Sequence, residues 1–95
     1  FNGSTSYVEV AHNALLNMTS RFTVMAWINP NAIGPDALKT IVSKDENFEF
    51  HLTNTGEINW WWQNAGGTAQ QITTTGAGIT AGGGWYHIAV VYVPG

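Results

Sequence analysis

From Phe22 to Pro30 the chain reads FTVMAWINP. In an extended backbone Phe22, Val24, Ala26 and Ile28 share one face, and Thr23, Met25, Trp27 and Asn29 share the other. Both faces are largely apolar, which predicts a strand covered on both sides, central in a sheet or between a sheet and loops. Pro30 has no N–H to give a ladder and closes the strand. Only one other stretch is comparable. Over Trp85 to Val93 the set Tyr86, Ile88, Val90, Tyr92 and the set His87, Ala89, Val91, Val93 are again both apolar. Two such strands demand a layered all-β fold with more cover than a single sheet supplies.

The rest of the chain supplies shorter strands separated by turn residues. Tyr7-Val8-Glu9-Val10 alternates and predicts a first strand after the turn Asn2-Gly3-Ser4. His12 to Ser20 is a connector that Leu15, Leu16 and Met18 would plug onto the core through one short helical turn. Further strands are expected at Thr40–Ser43, Phe48–Thr53, Ile58–Gln63 and Gln70–Thr74, the last weakly apolar and therefore an edge. Loops fall at Asn31–Ala37, Lys44–Asn47, Asn54–Gly56, Asn64–Thr68 and the glycine-rich Gly76–Gly84, where Ile79 is the single anchor. Seven strands spaced about ten residues apart, with no long helical pattern, predict an antiparallel β-sandwich or jelly roll. Ninety-five residues make one domain, 1–95.

Only 9% of the residues are charged, against about a quarter in an average soluble protein. The polar surface is therefore built from Asn, Thr, Ser, Gln and Gly, which suits uncharged partners such as glycans or other protein surfaces. Arg21, Lys39 and Lys44 are the only basic residues and the net charge is −3. That excludes nucleic-acid binding by a basic stripe and disfavours anionic membranes. There is no cysteine, hence no disulfide, thiolate metal site or cysteine nucleophile. No apolar run is long enough for a membrane-spanning helix.

Trp60-Trp61-Trp62 is the most unusual motif. Trp60 and Trp62 continue the face of Ile58 and read as core. Trp61 shares its face with Asn59 and Gln63, and a tryptophan between amides can stack on a sugar ring or sit in a protein interface. These three residues form the candidate ligand site. Asp45, Glu46 and Asn47, followed by Glu49, are the densest group of oxygen donors; alone they read as a solvated turn. His12, His51 and His87 lack zinc-site spacing. His87 reads as a partly buried structural histidine, and His51 as an exposed one. Retaining glycoside chemistry needs two carboxyl groups about 5 Å apart. No strand carries alternating acids, Glu57 stands alone, and no nucleophile elbow or phosphate loop is present, so an enzyme is not expected. Asn2-Gly3-Ser4 and Asn17-Met18-Thr19 satisfy the N-glycosylation pattern.

The segments FNGSTSYVEV, FTVMAWINP, TIVSKD, FEFHLTNTGEINW and GGGWYHIAVVY, in this order, resemble the N-terminal half of a laminin G-like, concanavalin A-like jelly roll. The resemblance spans nearly the whole chain. It implies that the sandwich continues beyond these residues, because family domains run on through further strands after the W-x-H-x-A-V segment. It also implies His87 at that motif's histidine, and calcium as a candidate ion, with Asp45, Glu46 and Asn47 as ligands joined by others outside the chain. The function it implies is a non-catalytic extracellular or cell-surface module for recognition or adhesion, with glycan or protein partners. The alternative is a structural subunit or decoration of a surface filament, pilus or phage particle, with self-association completing its edges.

Overall fold

The computed structural model describes residues 1–94, and among them the only helical element is one 3-10 turn, Ala14–Leu16. Six strands follow: β1 Phe22–Ile28, β2 Leu38–Lys44, β3 Phe48–Thr53, β4 Ile58–Gln63, β5 Ala69–Thr73 and β6 Tyr86–Tyr92. They form two antiparallel sheets. β2-β3-β4-β5 is a four-stranded meander, and β1-β6 is a two-stranded sheet packed across it. This is the sandwich the alternating sequence predicts, present as part of a jelly roll.

The core lies between the layers. The inner residues of β3 and β4, namely Phe48, Phe50, Leu52 and Trp60, are buried together with Ile79 and Ile88. Phe22 of β1 reaches across the interlayer space, with ring centroids 5.5 Å from Phe48, 5.9 Å from Trp60 and 5.2 Å from Tyr92. Trp60 in turn stacks on Phe48 at 5.4 Å and meets the edge of Phe50 at 5.7 Å. Trp62 packs against Tyr92 at 6.1 Å. Trp60 and Trp62 are thus core residues, as their phase with Ile58 predicts.

The glycine-rich segment is anchored rather than loose. Ile79 is buried, and its N–H donates to the carbonyl of Gly56 at 3.0 Å. Gly56 has φ +77°, and a Cβ there would lie 2.1 Å from the Ile79 carbonyl oxygen. Both the turn and the close approach require glycine. Glu57 holds the start of the same segment. Its carboxylate accepts from the Thr74 hydroxyl, the Gly76 N–H at 2.8 Å and the Ala77 N–H at 3.1 Å.

Four sequence expectations are corrected. Tyr7–Val10 is not a strand: Tyr7, Val8 and Val10 are exposed and pair with nothing, because no neighbouring backbone lies alongside them. The plug is smaller than expected, since Leu15 and Leu16 are exposed and only Met18 packs on the core. β1 and β6 are not central strands covered on both sides. They pair only with each other, and their outward residues Met25, Trp27 and Val91 are exposed, Trp27 at 66%. His87 is exposed on this outer face, its ring tilted against Trp27 with centroids 5.0 Å apart, rather than partly buried. The accessible surface of 6664 Å² exceeds the roughly 5,400 Å² expected for a folded chain of this mass. That uncovered face and the exposed segment before β1 both contribute to the excess.

The Thr74 hydroxyl, then the Ala77 and Gly76 amides, lower the pKa of Glu57 below its ordinary 4.5. A lowered folded-state pKa stabilises at pH above the unfolded value and is lost as pH falls through the folded value. The Gly76 and Ala77 amide resonances are therefore expected to hold steady above pH 4.5 and shift only below it. Glu57→Gln should abolish that titration in a two-dimensional amide spectrum.

Candidate functional site

Alternation along β3 and β4 sends Phe48, Phe50, Leu52 and Trp60 inward, and so turns Glu49, His51, Asn59 and Trp61 to the opposite, outer face of the four-stranded sheet. Register sets them in rows. Ser43, Glu49, Trp61 and Gln71 lie side by side across β2, β3, β4 and β5, and the next row holds Thr40, His51, Asn59 and Thr73. Both rows are polar apart from Trp61.

Members of both rows form one connected hydrogen-bond network. Asn59 Nδ2 donates to Thr73 Oγ1 at 2.9 Å and to Gln71 Oε1 at 3.2 Å. Its Oδ1 therefore faces His51 Nδ1 at 3.2 Å. The other ring nitrogen of His51 lies 2.9 Å from Glu49 Oε2. Glu49 Oε1 is 3.5 Å from the Ser43 hydroxyl, which donates to it. One chain of contacts thus links all four strands, from Ser43 on β2 to Thr73 on β5. His51 is 5% exposed and Asn59 4%. No buried side-chain N or O among the described residues lacks a partner. A polar group buried without a partner costs about 1–3 kcal/mol, so completeness is what makes this row tolerable.

The three residues singled out from the sequence have different fates. Trp61 is half-buried, set between Glu49 and Gln71, with its exposed part on the open face. Asn59 shares that face but is sunk into the network, where its amide group is fully engaged; it orders the face and does not project from it. Gln63 is exposed at the end of β4 opposite Ala69. Sequence reasoning missed Glu49, Gln71, Thr73 and His51. His51 is buried where exposure was expected, and both its ring nitrogens are engaged, by Asn59 and Glu49. The readable signal was the alternation of Glu49 and His51 on β3 in phase with Asn59 and Trp61 on β4.

Asp45, Glu46 and Asn47 form the β2–β3 turn, and two of their side-chain oxygens are engaged by backbone amides. Asp45 Oδ1 accepts from the Glu46 N–H at 3.0 Å, and Asn47 Oδ1 accepts from the Met18 N–H at 3.0 Å. Glu46 takes the left-handed φ of 59°. Glu49, which follows them in sequence, is on the sheet face beside His51. Among the described residues no three His, Cys, Asp or Glu side chains converge on a point that could hold a metal ion.

The outer face has donors, acceptors and one aromatic surface, which suit hydroxyl-rich or amide-rich ligands. Two-carboxylate chemistry does not fit it. Glu57 lies four residues along β4 from Trp61, the register partner of Glu49, which separates the two acids by about 14 Å at strand rise. Inverting and retaining glycosidases hold theirs roughly 5–9.5 Å apart.

A laminin G family model, described as the concanavalin A-like lectin/glucanases superfamily, matches residues 2–95. No curated protein matches the chain, and no solved structure does.

Asn59→Ala should lower the unfolding free energy by about 1–3 kcal/mol, because it leaves the buried His51 without its Asn59 partner. Chemical denaturation, read as a shift in midpoint at unchanged slope, checks this.

Proposed function

The chain belongs to the concanavalin A-like lectin/glucanase superfamily, and we propose that it acts as a non-catalytic recognition module that binds glycan or protein ligands through the outer face of its four-stranded sheet. The observation that carries this reading is Trp61, half-exposed in a field of otherwise polar side chains whose positions are locked by the Ser43-to-Thr73 network. A pre-ordered face avoids the entropic cost of arranging side chains at the moment of binding. An aromatic ring among amides and hydroxyls supplies one stacking surface, with polar groups around it to set orientation. The wide separation of Glu49 and Glu57 supports the non-catalytic part of the reading. An extracellular or cell-surface setting, and a role in adhesion, accord with the family and with the scarcity of charge. Among the described residues no helix is long and apolar enough to cross a membrane. Calcium takes about six to eight oxygens, so at the Asp45–Asn47 turn, where two side-chain oxygens already accept backbone N–H groups, it would need further ligands from elsewhere.

The test is to screen the purified protein on a printed glycan array and against immobilised extracellular-matrix proteins, then to titrate the best ligand against Trp61→Ala. Affinity should fall at least tenfold while the melting temperature moves by only a few degrees. An unchanged affinity would remove the outer face from consideration.

One set of observations favours a second reading, a structural subunit of a surface filament or particle. β1, β5 and β6 contain no Asp, Glu, Lys or Arg. β2, at the opposite edge from β5, carries Lys39 and Lys44. Proteins that must stay apart place charges on exposed edges, above all lysine. Edges left bare beside the apolar Met25, Trp27 and Val91 face suit contacts with neighbouring chains. On this reading, light scattering of purified material shows a mass that grows with concentration and is indifferent to calcium and sugars; a constant monomeric mass would exclude it.

A further inference from the structure

The hydrogen-bond network on the outer face has a direction as well as a connectivity. Its central part is made by side chains on consecutive strands of one meander: Glu49 and His51 on β3, Asn59 on β4, Gln71 and Thr73 on β5. An ionised carboxylate only accepts, so the His51 Nε2 that lies 2.9 Å from Glu49 Oε2 carries a hydrogen. Across the ring, Nδ1 lies 3.2 Å from Asn59 Oδ1, and an amide oxygen also only accepts. Both ring nitrogens therefore donate in this arrangement, which makes His51 an imidazolium. Asn59 in turn gives its Nδ2 hydrogens to Gln71 Oε1 and Thr73 Oγ1. With Oε1 taken, the exposed Gln71 offers its Nε2 hydrogens beside its register partner Trp61.

Removing the Nδ1 proton breaks this pattern between two buried residues. The Nδ1 lone pair would then face a lone pair of Asn59 Oδ1, and both groups would lose their partner. A half-turn of the Asn59 amide removes the conflict within the same space. It sets Nδ2 against His51 Nδ1, and Oδ1 against Thr73 and Gln71. Thr73 answers by turning its hydroxyl hydrogen towards Asn59. Gln71, exposed and free to turn, answers by donating from Nε2. The contacts on the far side of Nδ1 are all kept and all run the other way, so Gln71 shows its Oε1 beside Trp61.

Histidine changes charge between about pH 5 and 8, and on the strands around His51 the titratable partner is Glu49. β4 and β5 contain no titratable residue. On β2, Thr40 and Ser43 share the face of His51, while Lys39 and Lys44 are register partners of the inward Leu52 and Phe48 and so lie in the opposite phase.

We propose that the protonation state of His51 sets the direction of this relay, so that the outer face presents an N–H donor at Gln71 when His51 is charged and a carbonyl acceptor when it is neutral. The relay belongs to the free protein; its use in binding rests on the outer-face reading above. A ligand carbonyl, as in an acetamido group or a peptide bond, fits the first state and a ligand N–H the second, whereas a hydroxyl fits both.

The test is a pH titration of isotope-labelled protein between about pH 5 and 8, following by NMR the imidazole nitrogens of His51 and the side-chain NH2 groups of Asn59 and Gln71. The expected result is one shared midpoint: Nδ1 loses its proton, Nε2 keeps its own, and both amide groups shift with them. In His51→Gln the Gln71 NH2 signal should stay constant over the same range. A His51 that never changes charge in this range overturns the proposal, as does loss of the Nε2 proton in place of the Nδ1 proton. A Gln71 signal that ignores the His51 midpoint overturns it too, and that reading needs no variant to fold. The spectra are taken without ligand, so a blank array screen would sink the binding reading alone, and a constant Gln71 the relay alone.

Discussion

Phe22 is the contact on which the two-layer arrangement depends. It is the aromatic side chain of β1 that reaches Phe48 on β3 and Trp60 on β4 while also touching Tyr92 on its own sheet. The four-stranded sheet offers a floor of Phe48, Phe50, Leu52 and Trp60, and nothing in β2–β5 can cover it. The β1–β6 ribbon, a two-stranded unit of marginal stability by itself, gains its place by laying Phe22, Ile88 and their neighbours on that floor. Ring geometry matters here as well as area. Trp60 is stacked on Phe48 and edge-on to Phe50, arrangements that add about 0.5–1.5 kcal/mol per pair beyond burial.

The two faces of the four-stranded sheet solve opposite problems with the same alternation. Inward, β3 and β4 bury rings against another layer. Outward, they bury His51 and Asn59, whose side-chain polar atoms are engaged with each other and with Glu49, Gln71 and Thr73. That choice trades adaptability for order. A face whose amides are already committed can present Trp61, Glu49 and Gln71 at fixed spacing, but it cannot remodel itself around an arbitrary partner. Selectivity then rests on shape and on a few polar groups at the margin of the tryptophan.

Strand positions were legible in the sequence wherever a strand had a partner inside the chain. Phe22–Ile28, Phe48–Thr53, Ile58–Gln63 and Tyr86–Tyr92 follow from period-two patterning, and the core phase of Trp60 and Trp62 follows from Ile58. Tyr7–Val10 has the same pattern and forms no strand, since a strand is a pairing property and alternation records only an intent to pair. The doubly apolar character of β1 and β6 reads as a demand for cover, and the resemblance expects that cover outside these residues; among the described residues nothing covers Trp27 and His87, which are exposed. Of the candidate site, Trp61 was legible because an aromatic between amides is conspicuous. Glu49, His51, Gln71 and Thr73 were not, because their association depends on cross-strand register among three strands, which no single strand encodes.

The order of the strands along the chain sets the order in which they can be stabilised. β2 to β5 form a meander of neighbouring hairpins, each closed by a short loop, and such local pairings cost little chain entropy. β1 is made first but can pair only with β6, made last. On a ribosome, therefore, the FTVMAWI segment emerges early and waits, exposed and uncharged, while four later strands assemble and the glycine-rich segment docks Ile79 against Gly56. During that interval the aromatic floor of the meander is open to any apolar strand within reach. A chain with this topology holds its first strand without its partner until the sixth has been made.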